Sequence, residues 1–578
     1  MKNKLLIWGL VLATTLPFTI SCNDEDFLTE DPETFYTIEN SFNTTSQVDA
    51  SLTTVYRNVR ELYQFNYYFL GAGTDCTDTP GWRGGAYSDY STWSADRSGV
   101  YDVYKAYYQI IECANLTLAG ANLSTLKWES ETERQAIIAQ ANFFLGWAYL
   151  GLAELYGGVP LVDQLYTTPK YDFERSTREE TYKFAIAKLE SAVSVLPNYP
   201  AEAGRVAKGA AYHYLAEAYL ALGTEEANNG ISATASFQKS IDNATSAISL
   251  HALMTDRFGT RETEVGKDVF WDLFQKGNLD YAEGNTEALW TLQNDVNAVK
   301  NGYDTRAFLE YPRAAMPVLR NVMIRADLKA RNNNVSTAWT SWTGSIEFAG
   351  RAVNFYRPTY YMINDIWSGS LGSDMRNSTN NIVRNFVCNV TDSEFYGQTI
   401  TDDMLALSSS TDCYYPVWFK LTTDQFEEKS GVGWDGSYIF RDKYACRLAE
   451  TYLIRAEAYF RNGNSGLAAS DINVLRTRAN CTYQASASDI TLNFILDERA
   501  RELYMEELRW HTLLRMGGTV AYDRINTYAY YLDTRNRANT ATSFSGTAPT
   551  KVFNLWPIPR KVIDANSGAV LEQNPGWE

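Results

Sequence analysis

A stripe of small and apolar side chains governs what residues 207–249 can become. Ala207, Ala210, Ala211, Tyr214, Leu215, Ala218 and Leu222 recur at three- and four-residue steps, the period of one buried helix face. Alanine at the contact lets a second helix approach closely. The segment therefore predicts a helix packed tightly on a partner, with Gly223 read as its end and the partner near 233–249. Residues 47–66, 96–120 and 133–156 carry the same period. In 133–156 the stripe is Ala136, Phe143, Trp147, Leu150, Gly151 and Leu155, and Gly157-Gly158 with Pro160 stops the helix. A chain assembled from such segments is mainly α.

A second pair covers 447–462 and 466–479, broken at Asn462-Gly463-Asn464. Ala456, Tyr459 and Ala468 sit where a tetratricopeptide (TPR) pair places its small and large residues, but no fixed period recurs. The expected fold is an irregular TPR-like helical scaffold. Residues 251–440 break the pattern with Gly, Asn, Ser, Thr and aromatic residues. Short alternating runs such as Ala288-Leu289-Trp290-Thr291-Leu292 read as strands. This is a large loop-rich, mixed insertion containing short strands, set between helical segments 47–250 and 441–578. Loops held on a rigid scaffold concentrate binding residues, so 251–440 is expected to be the ligand-binding part.

Size and charge narrow the class. The 578 residues correspond to about four domain-sized units. With 45% hydrophobic and 21% charged residues, the chain is neither disordered, nor collagen-like, nor a polytopic membrane protein. A net charge of −18 repels nucleic acid and anionic lipid. Fifteen Trp, 39 Tyr and 26 Phe supply rings suited to half-apolar, half-wet surfaces as well as to cores.

The N-terminus carries an address. Lys2 and Lys4 precede an apolar run from Leu5 to Ile20, too short to span a bilayer as a helix, and small residues follow. Residues 1–21 read as a secretory signal peptide. Thr19-Ile20-Ser21-Cys22 resembles the lipobox of bacterial lipoproteins, although Thr19 departs from its usual Leu. The resemblance implies that Cys22 is lipidated and opens a leader and tail over 22–46. The acidic run Asn23-Asp24-Glu25-Asp26 resembles a surface-export signal of Bacteroidetes lipoproteins; a solvated tail is the alternative. No later stretch is expected to cross a membrane. The remaining cysteines, at 76, 113, 388, 413, 446 and 481, form no CxxC pair and are expected to be mostly buried free thiols.

Four segments together resemble one family, the SusD/RagB-like outer-membrane lipoproteins. They are Ala139–Val162 (AQANFFLGWAYLGLAELYGGVPLV), Tyr452–Ala479 (YLIRAEAYFRNGNSGLAASDINVLRTRA), Asp497–Gly517 (DERARELYMEELRWHTLLRMG), and the closing LWPIPRKVIDANSGAVLEQNPGW from Leu555. Asp374-Met375-Arg376 adds a short Asp-x-Arg element. Read on their own, these residues are structural. Glu498, Glu502 and Glu506 at i, i+4, i+8 with Arg501 and Arg509 suggest intrahelical ion pairs, and Pro557 and Pro559 hold the chain extended.

The resemblance implies a non-catalytic, surface-exposed outer-membrane protein that binds oligosaccharides. Its partner would be a SusC-like TonB-dependent barrel transporter, with import of the polysaccharide as the task. A peptide-binding lid of the RagB type is the alternative, and a glycoside hydrolase using an Asp/Glu pair is a third reading. Family members commonly bind through an early loop and the insertion. The early loop here is Gly71–Trp93, where Trp82, Tyr87, Tyr90 and Trp93 interleave with Asp75, Asp78 and Arg83. Rings beside polar groups on a glycine-rich backbone suit a sugar, though one or two rings could instead anchor the loop. In the insertion the candidates are Tyr303, Tyr311, Trp339, Trp342 and Tyr360, with packing as the alternative. Trp290, in its strand-like run, is assigned to the core.

Enzyme signatures are sparse. His213, His251 and His511 are the three histidines, set in or beside structural helices, and no G-x-S-x-G occurs. Gly431-Val432-Gly433-Trp434-Asp435-Gly436 matches G-x-G-x-x-G but leads into a strand signal where a dinucleotide fold needs a helix. No cofactor is expected; structural calcium stays open, since no EF-hand loop appears.

Overall fold

The computed structural model describes residues 41–79, 88–166, 168–304, 306–309, 311–317, 345–346, 350–352, 354–387, 396–399, 401, 414–423, 439–529 and 547–578. Helix α1 (Thr45–Glu61) opens with a capping box, Thr44 and Gln47 satisfying each other's backbone N–H groups. It runs on through a π-helical turn, Leu62–Asn66, toward the strand β1 (Thr77–Asp78). Next come α2 (Ser98–Ala121), α3 (Glu131–Tyr156), α4 (Arg178–Val195), α5 (Lys208–Asn228) and α6 (Thr234–Leu250). The insertion contributes β2 (Ala288–Leu292) and β3 (Arg357–Pro358). The chain closes with β4 (Lys443–Arg447), α7 (Leu448–Arg461), α8 (Ser465–Arg478), α9 (Leu492–Leu503), α10 (Arg509–Arg515) and α11 (Val520–Tyr528).

Each helix from α2 to α8 packs on its neighbours in sequence, and the array does not stop at the insertion, because α6 packs directly on α7. The protein is mainly α, an irregular TPR-like scaffold with a loop-rich insertion carrying short strands. The insertion leaves the array after Leu250 and returns at Leu448. Its base is closed by β2 and β4, antiparallel from Ala288 opposite Arg447 to Leu292 opposite Lys443. Trp290 is buried there against Phe143, Phe144 and Trp147, in the core as expected.

Helix α3 is the central member. Among the described residues it is the helix long and apolar enough to cross a membrane by length and composition, against the expectation that no later stretch would be, but most of it is buried inside the protein. Helices α2 and α4 cover its faces, so the apolar length serves a core. Gly146 and Gly151 permit those contacts: a Cβ at Gly146 would lie 2.6 Å from Leu189 of α4, and one at Gly151 2.5 Å from the Tyr107 hydroxyl of α2. Gly157 takes φ +77° and ends the helix.

Two expectations are corrected. Gly223 does not end α5, which continues to Asn228. A Cβ at Gly223 would lie 2.7 Å from the Phe237 ring of α6, so this glycine serves close helix approach. Nor do Glu498, Glu502 and Glu506 pair chiefly within one helix. Helix α9 ends at Leu503, before Glu506, and Glu498 and Glu502 are wholly buried. Glu502 receives Arg376, Arg447 and Arg478, while Glu498 receives Arg376, Arg476 and Arg501. Only the Arg501 pair lies within the helix. The guanidiniums come from four separate parts of the chain, and these charges tie the insertion to the C-terminal helices.

Among the described residues, Cys76, Cys113, Cys446 and Cys481 are free thiols; Cys388 and Cys413 lie outside them, as do residues 1–40 with Cys22.

Candidate ligand-binding site

The early loop begins where the helical run from α1 ends at Leu70. Its stem, Gly71–Thr79, is buried throughout and is anchored by Asp75. Arg509 donates from Nε to Oδ1 at 2.9 Å and from Nη2 to Oδ2 at 2.7 Å, and Arg524 Nε reaches Oδ2 at 2.9 Å. Burial alone would raise the Asp75 pKa, but the two guanidiniums outweigh it and hold the carboxyl well below the ordinary range. Asp78 differs. Burial pushes its carboxyl up, and the Arg357 guanidinium at 3.3 Å, with hydrogen bonding from Ser88 and the Thr79 N–H, offsets this only in part.

The stem is then joined to the insertion. Thr77 lies opposite Pro358 and Asp78 opposite Arg357 in an antiparallel pair, β1 with β3. Thr359 extends the join, donating its N–H to Cys76 O at 3.0 Å and its hydroxyl to Asp75 O at 2.9 Å. Tyr360 follows at the start of a short helix, half-buried. Two segments some 280 residues apart in sequence are thus held side by side at this stem.

Tyr303 occupies a separate cleft. Asp295 caps the short helix Val296–Lys300, and Gly302, at φ +73°, turns the chain so that Tyr303 projects. Its ring is 85% exposed. Asp304, the next residue, is held by Arg60 of α1, and Arg60 Nη1 also donates to Gln293 O at 3.1 Å. Tyr56 forms a wall, with the Arg205 guanidinium 5.3 Å over its ring. The cleft encloses about 350 Å³. Gln64 Nε2 donates to Arg306 O at 3.1 Å, so this turn lies beside residue 64, roughly 10 Å along the helical run from Gly71.

These placements sort the expected residues. Asp75 and Asp78 are corrected from ligand contacts to internal struts, because burial and arginine partners occupy them. Tyr90 is corrected likewise: it is 7% exposed, donates its hydroxyl to Gly73 O at 2.7 Å, and stacks on Trp93 at 5.3 Å. Both rings anchor the loop. Tyr303 and Tyr360 remain at the surface. Trp82, Arg83, Tyr87, Trp339 and Trp342, and the side chain of Tyr311, lie outside the described residues, as does the Gly431–Gly436 motif. Sequence reasoning missed Tyr56, Arg57, Arg205 and Gln293, which line the Tyr303 cleft. They come from α1, the α4–α5 connection and the end of β2, and no motif links them.

The three histidines lie apart. His213 Nδ1 meets Thr451 Oγ1 at 2.8 Å, His511 Nε2 meets the Tyr107 hydroxyl at 2.7 Å, and His251 Nδ1 meets Thr286 O at 3.2 Å. Burial lowers the first two to about 3, so both are neutral near pH 7. Among the described residues, no three His, Cys, Asp or Glu side chains are grouped to hold a metal ion.

Two family descriptions match the chain. Residues 26–220 match one described as starch-binding associating with outer membrane, and residues 394–577 match the SusD family. The chain belongs to the SusD/RagB-like family. Starch-binding protein SusD of Bacteroides thetaiotaomicron is 40% identical over 132 residues, 23% of this chain and 21% of that protein; the chain thus matches about a fifth of that curated relative's length. The crystal structure of a SusD homolog from the same species superposes with a TM-score of 0.69 at 20% identity, covering 94% of this chain and all of the other. A laminarin-binding SusD-like protein superposes at 0.61 with 17% identity, covering 93% and 100%. These last two likenesses concern the SusD-like fold. In this chain the helical array is continuous past the insertion, and the β1–β3 pair ties the stem of the early loop to it.

Proposed function

We propose that this SusD/RagB-like protein captures oligosaccharides at the outer membrane without altering them. The observation that carries the reading is the β1–β3 join, which brings the bases of the two ring-bearing segments together. The rings of 80–87 and of the insertion are the expected sugar contacts; among the described residues Tyr360 follows the join and Tyr303 lines a separate cleft. Sugar rings offer flat C–H faces to aromatic side chains and hydroxyls to amides and charged groups. By analogy with base stacking, each ring face contributes about 1–3 kcal/mol, and a few rings give affinities of about −4 to −8 kcal/mol, millimolar to micromolar. A protein that hands its ligand onward benefits from binding of that strength.

The rest of the reading follows from the family and the N-terminus. Cys22 carries the lipid, the body faces the cell exterior, and the partner is a SusC-like TonB-dependent transporter that imports the glycan. Titration calorimetry against α-1,4 and β-1,3 glucan hexasaccharides tests the binding step. Reversible binding with the sugar recovered intact is expected. Hydrolysis of the bound sugar, or binding of a peptide pool in its place, overturns the reading.

A further inference from the structure

The segment Tyr90–Asp96 and the stretch 549–578 enclose another cleft, of about 380 Å³, within the ~300–1,000 Å³ range of small-molecule sites. Its floor is aromatic. Trp93 stacks on Tyr90, and Phe553 packs edge-on against Trp577 with centroids 5.9 Å apart. Trp577 is only half-buried, and its indole N–H donates to Leu555 O at 2.9 Å, which fixes the ring plane. The walls are tied together by backbone bonds, Tyr90 N to Thr547 O at 3.0 Å and Arg560 N to Ala95 O at 2.8 Å. The cleft is therefore preformed.

The half-buried Trp577 ring is the aromatic surface of the cleft left open to a ligand. Trp93, only 5% exposed, is packed by Phe69, Tyr90, Trp510 and Trp556 and serves as rigid support. The rim charges balance, Lys551 and Arg560 against Asp96 and Glu578, all exposed. That balance favours a neutral, hydroxyl-rich ligand, whose hydroxyls accept from the cations and donate to the carboxylates.

We propose that this cleft is a second carbohydrate subsite, taking a neutral sugar residue against Trp577 with its hydroxyls on the rim charges Asp96, Lys551, Arg560 and Glu578. The proposal rests on the glycan-binding reading above but concerns surfaces that reading does not use.

Calorimetry with maltohexaose and laminarihexaose tests it on the wild type, Tyr303→Ala, Asp96→Ala and Trp577→Ala. Asp96 is exposed, so that variant folds normally, and it keeps the test independent of any packing change in Trp577→Ala. The expected result is two sites per chain, one weakened roughly tenfold by Asp96→Ala and by Trp577→Ala, the other by Tyr303→Ala. Sugar-dependent protection from hydrogen exchange over residues 549–553 accompanies the first. A single site lost in Tyr303→Ala, with Asp96→Ala unchanged, overturns the second subsite and leaves the glycan reading standing. Failure of both sugars to bind the wild type sinks both.

Discussion

Arg509 closes on Asp75 across 434 positions of sequence, with each of two guanidinium nitrogens on its own carboxylate oxygen. The pair is buried. It fastens the base of the early loop to α10, and Arg524 of α11 adds a third bond to the same carboxylate.

Removing one partner strands the other charge in the core, which costs about 3–5 kcal/mol. Arg509→Ala should lower unfolding stability by up to that order, as should Asp75→Ala, which leaves Arg509 with Glu507 and Arg524 with Asp497 as their carboxylate partners. The double variant should lose less than the two single losses added, because no Asp75 charge is left opposite the gap. Strict additivity in urea unfolding would show that the residues do not act as a pair.

Glu502 is the hub of the larger ion cluster, so Glu502→Gln should be among the most damaging single changes, again by about 3–5 kcal/mol. The exposed i,i+4 pair Lys183–Glu179 offers the contrast. Lys183→Ala should leave the unfolding midpoint within error, as exposed pairs usually do.

Stability should fall on both sides of a mildly acidic optimum. Burial raises the Glu450 carboxyl from 4.5 to about 7, with Glu217 and Glu507 nearby and Arg499 shared with Glu507. Its folded form holds the proton more tightly, so this contribution is full below about 4.5 and lost as pH rises toward 7. Glu457 and Glu498 behave oppositely. Against the pull of burial, their arginines lower them to about 2, so their contribution is full above 4.5 and lost as pH falls toward 2. His213 and His511, held neutral by burial, add to the acid limb below 6.5. Thermal melts from pH 3 to 9 should trace this shape, and Glu450→Gln should flatten the alkaline limb. An unchanged alkaline limb in that variant refutes the assignment.

Two glycines should respond in opposite directions to alanine. A Cβ at Gly158 would sit 1.8 Å from Ser176 O, a backbone atom that cannot yield, whereas one at Gly466, inside α8, meets nothing within 4 Å. Gly158→Ala should prevent folding or cost well over ~1 kcal/mol, and Gly466→Ala should add roughly 0.5–1 kcal/mol. Melting temperatures decide both.

Tyr303→Ala should separate binding from folding. A ring 85% exposed contributes little to stability, so the midpoint should move by less than ~0.5 kcal/mol. Affinity for the preferred hexasaccharide should drop by the worth of one stacked ring, about 1–3 kcal/mol. Unchanged affinity would remove Tyr303 from the site.

The helices were legible because their signal is local. The stripe from Ala207 to Leu222 and the break at Asn462-Gly463-Asn464 each lie within a few turns, so side-chain spacing determines them, and Trp290 in its alternating run announced a core strand. What Asp75, Tyr90 and Glu502 do could not be read in this way. An aspartate near a tryptophan in a glycine-rich loop looks the same whether it faces a sugar or a distant arginine. Arg509 and Arg524 lie more than 400 positions away, and only the folded chain brings them together. The same holds for Tyr56, Arg205 and Gln293 around Tyr303. Periodicity records which face a residue turns inward, while long-range pairing of buried charges depends on how distant elements dock. The sequence by itself thus determined the helical scaffold and its family likeness; tertiary structure decided which polar and aromatic side chains hold the protein together and which are left for a ligand.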